Sequence, residues 1–212
     1  MANKGHASIA FRKKDLNILK RFRKPHDIQD FLNSISYDEI PGTSSPRMVM
    51  KEGKANCFEG ALFAAAALRM IGRTPLIVDM IAQNDDDHVI ALFKRGKYYG
   101  AVAKSNTTML RYRDPVFRSI RELAMSYFPF YFNIEGEMTL RSYSNPVDLS
   151  RFDGSGWMTT DENLDYIGDY LNTVRHYEVL DRRMRRYISG ADDDIVRMCF
   201  SGAVAEGVYQ PK

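Results

Sequence analysis

Residues 53–72 read GKANCFEGALFAAAALRMIG and place Cys57, one of two cysteines in the chain, at the start of a helical pattern. Asn56 and Glu59 have the spacing of a capping box, in which the asparagine accepts from the first turn and the glutamate reaches back. Gly72 follows the last periodic residue, and Pro75 prevents the helix from continuing. The stretch therefore predicts a helix that begins at Cys57 and ends before Gly72.

A thiol in the first turn of a helix lies among backbone N–H groups that have no acceptor, at the positive end of the helix dipole. Both features stabilise a thiolate, and the same N–H groups can donate to an oxyanion. The position of Cys57 thus favours a nucleophile. The alternative for any free cysteine is a small buried apolar residue, and that is our interpretation of Cys199 in IVRMCFSG.

Three short apolar runs follow the predicted helix: TPLIVDMIA over 74–82, DHVIALFKR over 87–95 and KYYGAVA over 97–103. Turn-forming residues bound the first two runs, and Arg95-Gly96 joins the last two in a hairpin. We therefore expect a helix followed by an antiparallel sheet, which is an α+β fold.

A catalytic thiol needs a base, and the chain has four histidines. His88 opens the second predicted strand, next to the strand that follows the Cys57 helix, so both side chains should meet at one edge of the sheet. His6 lies near the N-terminus, and His26 and His176 lie at predicted helix starts flanked by charges. His88 is therefore the predicted base.

The order of these elements from 53 to about 106 resembles the transglutaminase-like superfamily, which uses papain-like thiol chemistry. The shared layout is a turn before the cysteine, a small-residue helix ending in Leu-Arg-x-x-Gly, a strand, a strand led by histidine and a strand led by an aromatic residue. The resemblance implies a papain/transglutaminase-like core in which Cys57 is the nucleophile and His88 the base. It implies no cofactor and no metal.

The sequence departs from the family where an aspartate orients the histidine, because Ala103 lies near that position. The nearest polar residues are Ser105 and Asn106. An asparagine can hold an imidazole in the required tautomer, so we expect Asn106 to be the third member of the site. Ser105, a backbone carbonyl and Asp87 remain alternatives.

The rest of the chain, 111–212, is predicted to be a mainly helical extension packed on a core over about 26–110, within one domain spanning 1–212. Helices are expected over 116–128, 159–174 and 176–190, with a strand and a polar loop between 136 and 157. The aspartate runs NDDDH and ADDDI are read as solvated turns, because neither has the spacing of a calcium loop.

Composition narrows the function classes. The 30 Lys and Arg against 27 Asp and Glu give a net charge of +3, which argues against a general nucleic-acid-binding surface. The basic runs at 12–24 and 182–187 are typical of exposed helix faces, with nucleic acid as a weaker alternative. Two cysteines are too few for a disulfide framework, and we see neither a signal-peptide pattern nor a membrane-length apolar run. We therefore expect a cytoplasmic protein without a membrane span.

Two functional hypotheses follow. The first is thiol-dependent acyl transfer or hydrolysis of a peptide or protein amide, of the peptidase, amidase or transglutaminase type, without a cofactor. The second is a weak or inactive transglutaminase-like protein whose cleft binds a peptide or protein partner. Spacing in the sequence reveals neither the substrate nor the oligomeric state.

Overall fold

The computed structural model describes residues 11–211, so the histidine at position 6 lies outside the described residues. The architecture is mixed α+β, with helices on both faces of an antiparallel sheet. The helices are α1 (Lys13–Leu19), α2 (Pro25–Ser34), α3 (Pro46–Glu52), α4 (Cys57–Met70), α5 (Ile120–Met125), α6 (Asp165–Thr173) and α7 (Asp193–Phe200). The strands are β1 (Ser36–Tyr37), β2 (Lys54–Ala55), β3 (Leu76–Ala82), β4 (His88–Arg95), β5 (Tyr98–Val102), β6 (Arg113–Phe117), β7 (Leu140–Ser144), β8 (Val147–Asp148) and β9 (His176–Glu178).

The main sheet has the strand order β6-β5-β4-β3-β7-β9, and β8 also pairs with β3. Every pairing in this sheet is antiparallel, whereas β1 and β2 form a separate parallel pair. The predicted helix at Cys57 and the three strands after it are present as α4, β3, β4 and β5. Gly96, with φ of +61°, makes the β4–β5 turn at the predicted position.

Helix α4 packs against one face of the sheet through small side chains. The residues from Ala61 to Leu68 are fully buried, and they pack with the buried strand residues Ile77, Val89 and Phe93. The second face carries Val78, Ile90 and Leu92 and is covered by α5 and the tyrosines that follow it. The alternation of apolar residues along β4 therefore points to two cores, one on each side of the sheet.

The chain leaving β5 runs close beside α4. The Gln29 side chain of α2 bonds both the N–H and the C=O of Ala103, at 3.0 and 2.9 Å. The Lys104 ammonium donates to the carbonyls of Leu32 and Ile35 at the end of α2. A Cβ placed on Gly60 would lie 2.3 Å from the Cβ of Lys104, so glycine permits this close approach.

Residues 111–211 do not form a mainly helical extension. Strands β6, β7, β8 and β9 all come from this part and complete the same sheet as β3–β5. The helix predicted over 176–190 is wrong: β9 pairs with β7, Tyr177 stacks on Tyr143, and turns and a short 3₁₀ helix follow. The helix predicted over 116–128 is only α5, because its first residues belong to β6. In these segments, pairing with an open edge of the sheet determines the secondary structure, although the sequence has a helical period.

Within residues 11–211, no helix has the length and apolar character needed to cross a membrane.

The contact at Gly60 predicts the effect of a substitution. In a helix, alanine is more favourable than glycine by about 1 kcal/mol. Gly60→Ala is nevertheless expected to lower the free energy of unfolding by about 1–3 kcal/mol, because the new methyl group overlaps Lys104. Gly168→Ala in α6 is the matched control, since nothing lies within 4 Å of its Cβ position; it should be neutral or stabilising. Urea unfolding measures both variants, and a stabilised Gly60→Ala protein would contradict the close approach.

Candidate active site

The N-terminus of α4 is fixed by the predicted capping box. The Asn56 side chain accepts from the Glu59 N–H at 3.0 Å, and the Glu59 carboxylate accepts from the Asn56 N–H at 3.2 Å. The same side chains hold the preceding loop, because Asn56 donates to the Gly42 carbonyl and Glu59 accepts from the Ser44 N–H, both at 2.8 Å. The start of the helix and the loop beside it are thus one hydrogen-bonded unit.

Cys57 lies at an edge of β4 that β5 leaves uncovered. Asp79 of β3 is opposite Val89, and its N–H donates to Ser144 Oγ on the β7 side. The Val89 N–H must therefore point away from β3, towards β5. Pairing of β5 with β4 ends at Val102 and Ala91, two residues from Val89.

The sulfur of Cys57 occupies this gap. Its thiol donates to the carbonyl of Asp87 at 3.7 Å, and the N–H of Val89 faces the sulfur. The nucleophile predicted from the sequence is therefore held against the backbone on either side of His88. The Cys57 residue as a whole is partly exposed although its thiol is desolvated, and it lines a cavity.

The His88 ring is buried, with 3% of its surface exposed, on the sheet face that carries Ile90. The rings of Tyr127 and Tyr131 meet it edge-on, at centroid distances of 6.3 and 6.5 Å. Its Nε2 lies 2.9 Å from the carbonyl oxygen of Leu110. A carbonyl can only accept, so Nε2 carries the proton and, in the neutral ring, Nδ1 carries the lone pair.

Cys57 and His88 line the same cavity, which has a volume of about 700 Å³. Within residues 11–211, no hydrogen bond joins the thiol to the ring, and no partner bonds His88 Nδ1. The structure thus places the two predicted residues in one cavity, but their side chains do not form a hydrogen bond with each other. The ring nitrogen suited to accept the thiol proton is the one without a partner.

The third predicted residue, Asn106, lies in the same cavity but does not bond His88. Its amide donates to the carbonyls of Val204 and Gly207, both at 2.9 Å, and accepts from the Val204 N–H at 2.8 Å. Position 106 comes after the end of β5, where the chain has turned towards the C-terminal segment. The ring is oriented instead by a backbone carbonyl, one of the alternatives left open by the sequence.

The other two alternatives are engaged elsewhere. The Ser105 hydroxyl lies 3.2 Å from the Thr107 hydroxyl. The Asp87 carboxylate accepts from the Ala82 N–H at 2.7 Å, across the loop between β3 and β4. In the described part of the chain, neither side chain bonds the His88 ring.

The thiol is a weaker acid than its place on the helix implies. Burial raises the pKa of Cys57 to about 11, and the carboxylates of Asp86 and Asp79 add to this rise. The N–H groups of Val89 and Phe58 lower the pKa but do not compensate for desolvation. The resting group at neutral pH is therefore the thiol, not the thiolate expected from the helix position alone.

The base is neutral for a related reason. Burial lowers the pKa of His88 to about 4, and the positive charge of Arg113 adds to the effect. The acceptor at Leu110 acts in the opposite direction, since it favours the protonated ring. At neutral pH the site therefore pairs an uncharged thiol with an uncharged imidazole.

Several residues of the site were missed by the sequence reasoning. Tyr131 donates to the Asp86 carbonyl at 2.8 Å and Tyr127 to the Arg111 carbonyl at 2.9 Å, so the two tyrosines fix the chain on both sides of the ring. Parts of 199–209, Cys199 among them, form one wall of the cavity. The YFPFYF run at 127–132 could have signalled an aromatic wall, but no local pattern pairs it with His88.

Among residues 11–211, no group of three or more His, Cys, Asp or Glu side chains is arranged to hold a metal ion.

No protein-family model matches the chain, and no curated protein is significantly similar to it in sequence. The resemblance of residues 53–106 to the transglutaminase-like superfamily therefore remains a prediction that depends on those residues.

The raised pKa of Cys57 predicts its alkylation profile. Because the thiolate is the reactive form, the rate of modification by iodoacetamide should rise about tenfold per pH unit from pH 7 to 10, without the plateau of an ordinary thiol near pH 8.5. The measurement uses a Cys199→Ala background, with 2-mercaptoethanol as the reference. A plateau below pH 8 would show that a cation stabilises the thiolate and would contradict the neutral pair.

The Asn106 hydrogen bonds predict a role in holding the C-terminal segment. Asn106→Ala removes all three bonds to Val204 and Gly207, so cleavage after 200 by a nonspecific protease should accelerate about tenfold while the rest of the chain stays resistant. Asn163→Ala is the matched control, because Asn163 lines the same cavity without a hydrogen bond in the described chain. Equal cleavage of both variants would show that other contacts hold this segment.

Proposed function

We propose that the protein is a thiol-dependent acyl transferase or amide hydrolase of transglutaminase-like fold, with Cys57 as nucleophile and His88 as general base. The observation that carries the proposal is the shared cavity, which is lined both by Cys57 at the start of a capped helix and by His88, whose Nδ1 has no partner among the described residues. Peptide and protein amides are the substrates that this chemistry serves.

The reaction begins with transfer of the thiol proton. The hydrogen turns from the Asp87 carbonyl to His88 Nδ1 as the sulfur attacks the acyl carbon and the S–C bond forms. Hydrogen bonds of this kind often tighten only when substrate is bound. His88 then returns the proton to the leaving nitrogen as the C–N bond breaks. Water or an amine, deprotonated by the same nitrogen, then attacks the acyl carbon. The S–C bond breaks, the acyl product leaves, and His88 returns the proton to the Cys57 sulfur.

The first turn of α4 supplies the groups that stabilise the oxyanion. In the described structure, the Asn56 cap engages the N–H of Glu59, the Phe58 N–H faces the Cys57 sulfur, and the Cys57 N–H bonds no backbone acceptor. Donors fixed in this way cost little reorganisation when charge develops on the carbonyl oxygen. The capping box therefore positions both the nucleophile and its oxyanion site.

The low pKa of His88 suits a base that receives its proton only during the reaction. A neutral ring in a buried site can accept the thiol proton because the thiolate transfers its charge to the acyl oxygen in the same step. The Leu110 carbonyl then stabilises the imidazolium that forms, although less than a carboxylate would. Proton transfer by a positioned imidazole contributes about 10²–10⁴-fold to such reactions.

The second candidate function is a cleft that binds a peptide or protein partner without turnover. The raised pKa of Cys57 and the lack of a hydrogen bond between the thiol and His88 in the described chain favour it. A stable covalent acyl adduct on Cys57 would count against this candidate.

p-Nitrophenyl acetate tests the proposed chemistry. The protein should release p-nitrophenol in a burst of about one equivalent, because acylation of Cys57 precedes a slower deacylation. Cys57→Ala should abolish the burst, and His88→Gln, which can still donate to the Leu110 carbonyl, should slow it by about 10²–10⁴-fold. Cys199→Ala, which removes the other thiol, should retain a burst of about one equivalent.

Mass spectrometry of the acylated protein locates the adduct. An acetyl group on Cys57 that appears with the burst supports the nucleophile. An equal burst in His88→Gln would remove His88 from the mechanism, and an adduct only on lysines would leave the binding function as the better interpretation.

A further inference from the structure

The cavity at Cys57 has a charge opposite to that of the whole chain. Its lining includes seven carboxylates, namely Asp38, Glu39, the three at 85–87, Asp165 and Glu206, whereas no Lys or Arg of the described residues lines it. The complete sequence carries a net charge of +3. Clefts lined by one sign of charge focus the field and raise the local concentration of ligands of the other sign.

Most of these carboxylates have no internal counter-charge. Asp38 pairs with Lys54 at 3.0 Å, but no other carboxylate of the cavity forms an ion pair with any described residue. Asp85 and Asp165 bond threonine hydroxyls instead. The Asp86 side chain has no hydrogen-bond partner in the described chain, and the same is true of Glu39 and Glu206.

The three aspartates of the loop before β4 have raised pKa values. Burial raises the pKa of Asp85 to about 6, and the charges of Asp86 and Asp87 contribute to the rise. The pKa values of Asp86 and Asp87 are also raised by burial, with repulsion from Asp87 adding to the rise at Asp86. A positive charge within the cavity would relieve this repulsion.

Aromatic side chains accompany the carboxylates. The cavity is lined by Tyr37, Phe58, Phe130, Tyr131, Phe200 and Tyr209, among others. Aromatic faces attract ammonium and guanidinium groups, and they also pack against the methylene chain that carries such a group. Carboxylates and aromatic rings together suit an organic cation better than a neutral or anionic ligand.

An independent feature of the same cavity points to a ligand. His88 is 3% exposed, yet its Nδ1 has no partner within residues 11–211 although the ring lines the cavity. This nitrogen is not among the fully buried side-chain atoms of the described residues that lack a partner, so it is open to the cavity and can bond a group that enters there. The acidic lining therefore shares its cavity with the thiol and with a ring nitrogen that is free to bond a ligand.

We propose that the substrate of this site carries a positive charge next to its reacting acyl group, as in a peptide with a lysine or arginine residue there. The carboxylates lie on four separate segments, at 38–39, 85–87, 165 and 206, which suits an extended side chain more than a single small ion. The proposal rests on the proposed function for the acyl group, whereas the preference for a cation depends on the cavity alone.

Two charged thiol reagents of similar size test the preference without requiring turnover. In the Cys199→Ala background, Cys57 is modified by 2-(trimethylammonium)ethyl methanethiosulfonate and by 2-sulfonatoethyl methanethiosulfonate. The ratio of the cationic to the anionic rate should exceed that of 2-mercaptoethanol by at least about tenfold at an ionic strength of about 0.01 M, and it should fall towards the reference at about 1 M. An equal ratio at low salt overturns the proposal.

Charge-neutralising variants assign the effect to the cavity. Asp86→Asn and Glu206→Gln alter side chains without partners, so each should lower the ratio about threefold and the double variant about tenfold. Any change in the pKa of Cys57 affects both reagents equally and cancels in the ratio. Asp169→Asn, an exposed carboxylate of α6 outside the cavity, is the matched control and should leave the ratio unchanged. An equal fall in this control would assign the preference to overall charge and contradict the proposal.

Acyl substrates complete the experiment. Thiobenzyl esters of benzoyl-arginine and benzoyl-citrulline differ in charge but little in shape, and kcat/KM should be at least about tenfold higher for arginine. Turnover of both esters at equal rates overturns the cationic substrate while supporting acyl transfer. Turnover of neither ester, with the reagent preference intact, supports the cationic site and counts against the proposed function.

A last experiment asks whether Ca²⁺ competes with the cationic reagent for the carboxylates of the cavity. Millimolar Ca²⁺ should lower the reagent ratio no more than an equal ionic strength of NaCl, because the carboxylates are spread around the cavity. A specific and saturable effect of Ca²⁺ would instead assign the acidic lining to a metal ion and overturn the proposal.

Discussion

The site depends on a short length of uncovered sheet edge. Strand β5 stops pairing with β4 at Ala91, and the first turn of α4 fills the space that is left, so the Cys57 sulfur meets the backbone on both sides of His88. The capping box fixes where α4 begins, and Gly60 allows the segment after β5 to pass close to the helix at Lys104. A helix that began one residue later, or a bulkier residue at 60, would move the thiol away from that edge.

Burial and hydrogen bonding act on the thiol in opposite directions, and burial prevails. The first-turn N–H groups favour a thiolate, but desolvation and the nearby carboxylates raise the pKa of Cys57 to about 11. Burial also keeps His88 neutral. In the mechanism that we propose, a neutral pair leaves the nucleophile inert in the absence of substrate, and a cationic substrate would weaken the effect of the carboxylates on the thiol. The proposed recognition of a cation would thus be linked to the acidity of the thiol.

Local sequence patterns predicted the centre of the fold and failed towards the C-terminus. Around Cys57 the caps, turns and apolar periods agree with the three-dimensional packing, so the helix and three strands were predicted correctly. At 176–190 the helical pattern competes with an open sheet edge, and β9 forms there because Tyr177 can stack on Tyr143. Contacts between residues more than thirty positions apart decide that outcome, and no local window contains them.

The sequence by itself determined that Cys57 starts a capped helix and that His88 heads the second strand after it, because caps and strand starts are encoded within a few residues. Only the tertiary structure decided what surrounds them. Leu110, rather than Asn106, orients the ring because the chain turns towards the C-terminal segment after β5, and Asn106 holds that segment instead. The carboxylates of the acidic cavity likewise come from four segments that are distant in the sequence. Their combined negative potential therefore arises only when the chain has folded.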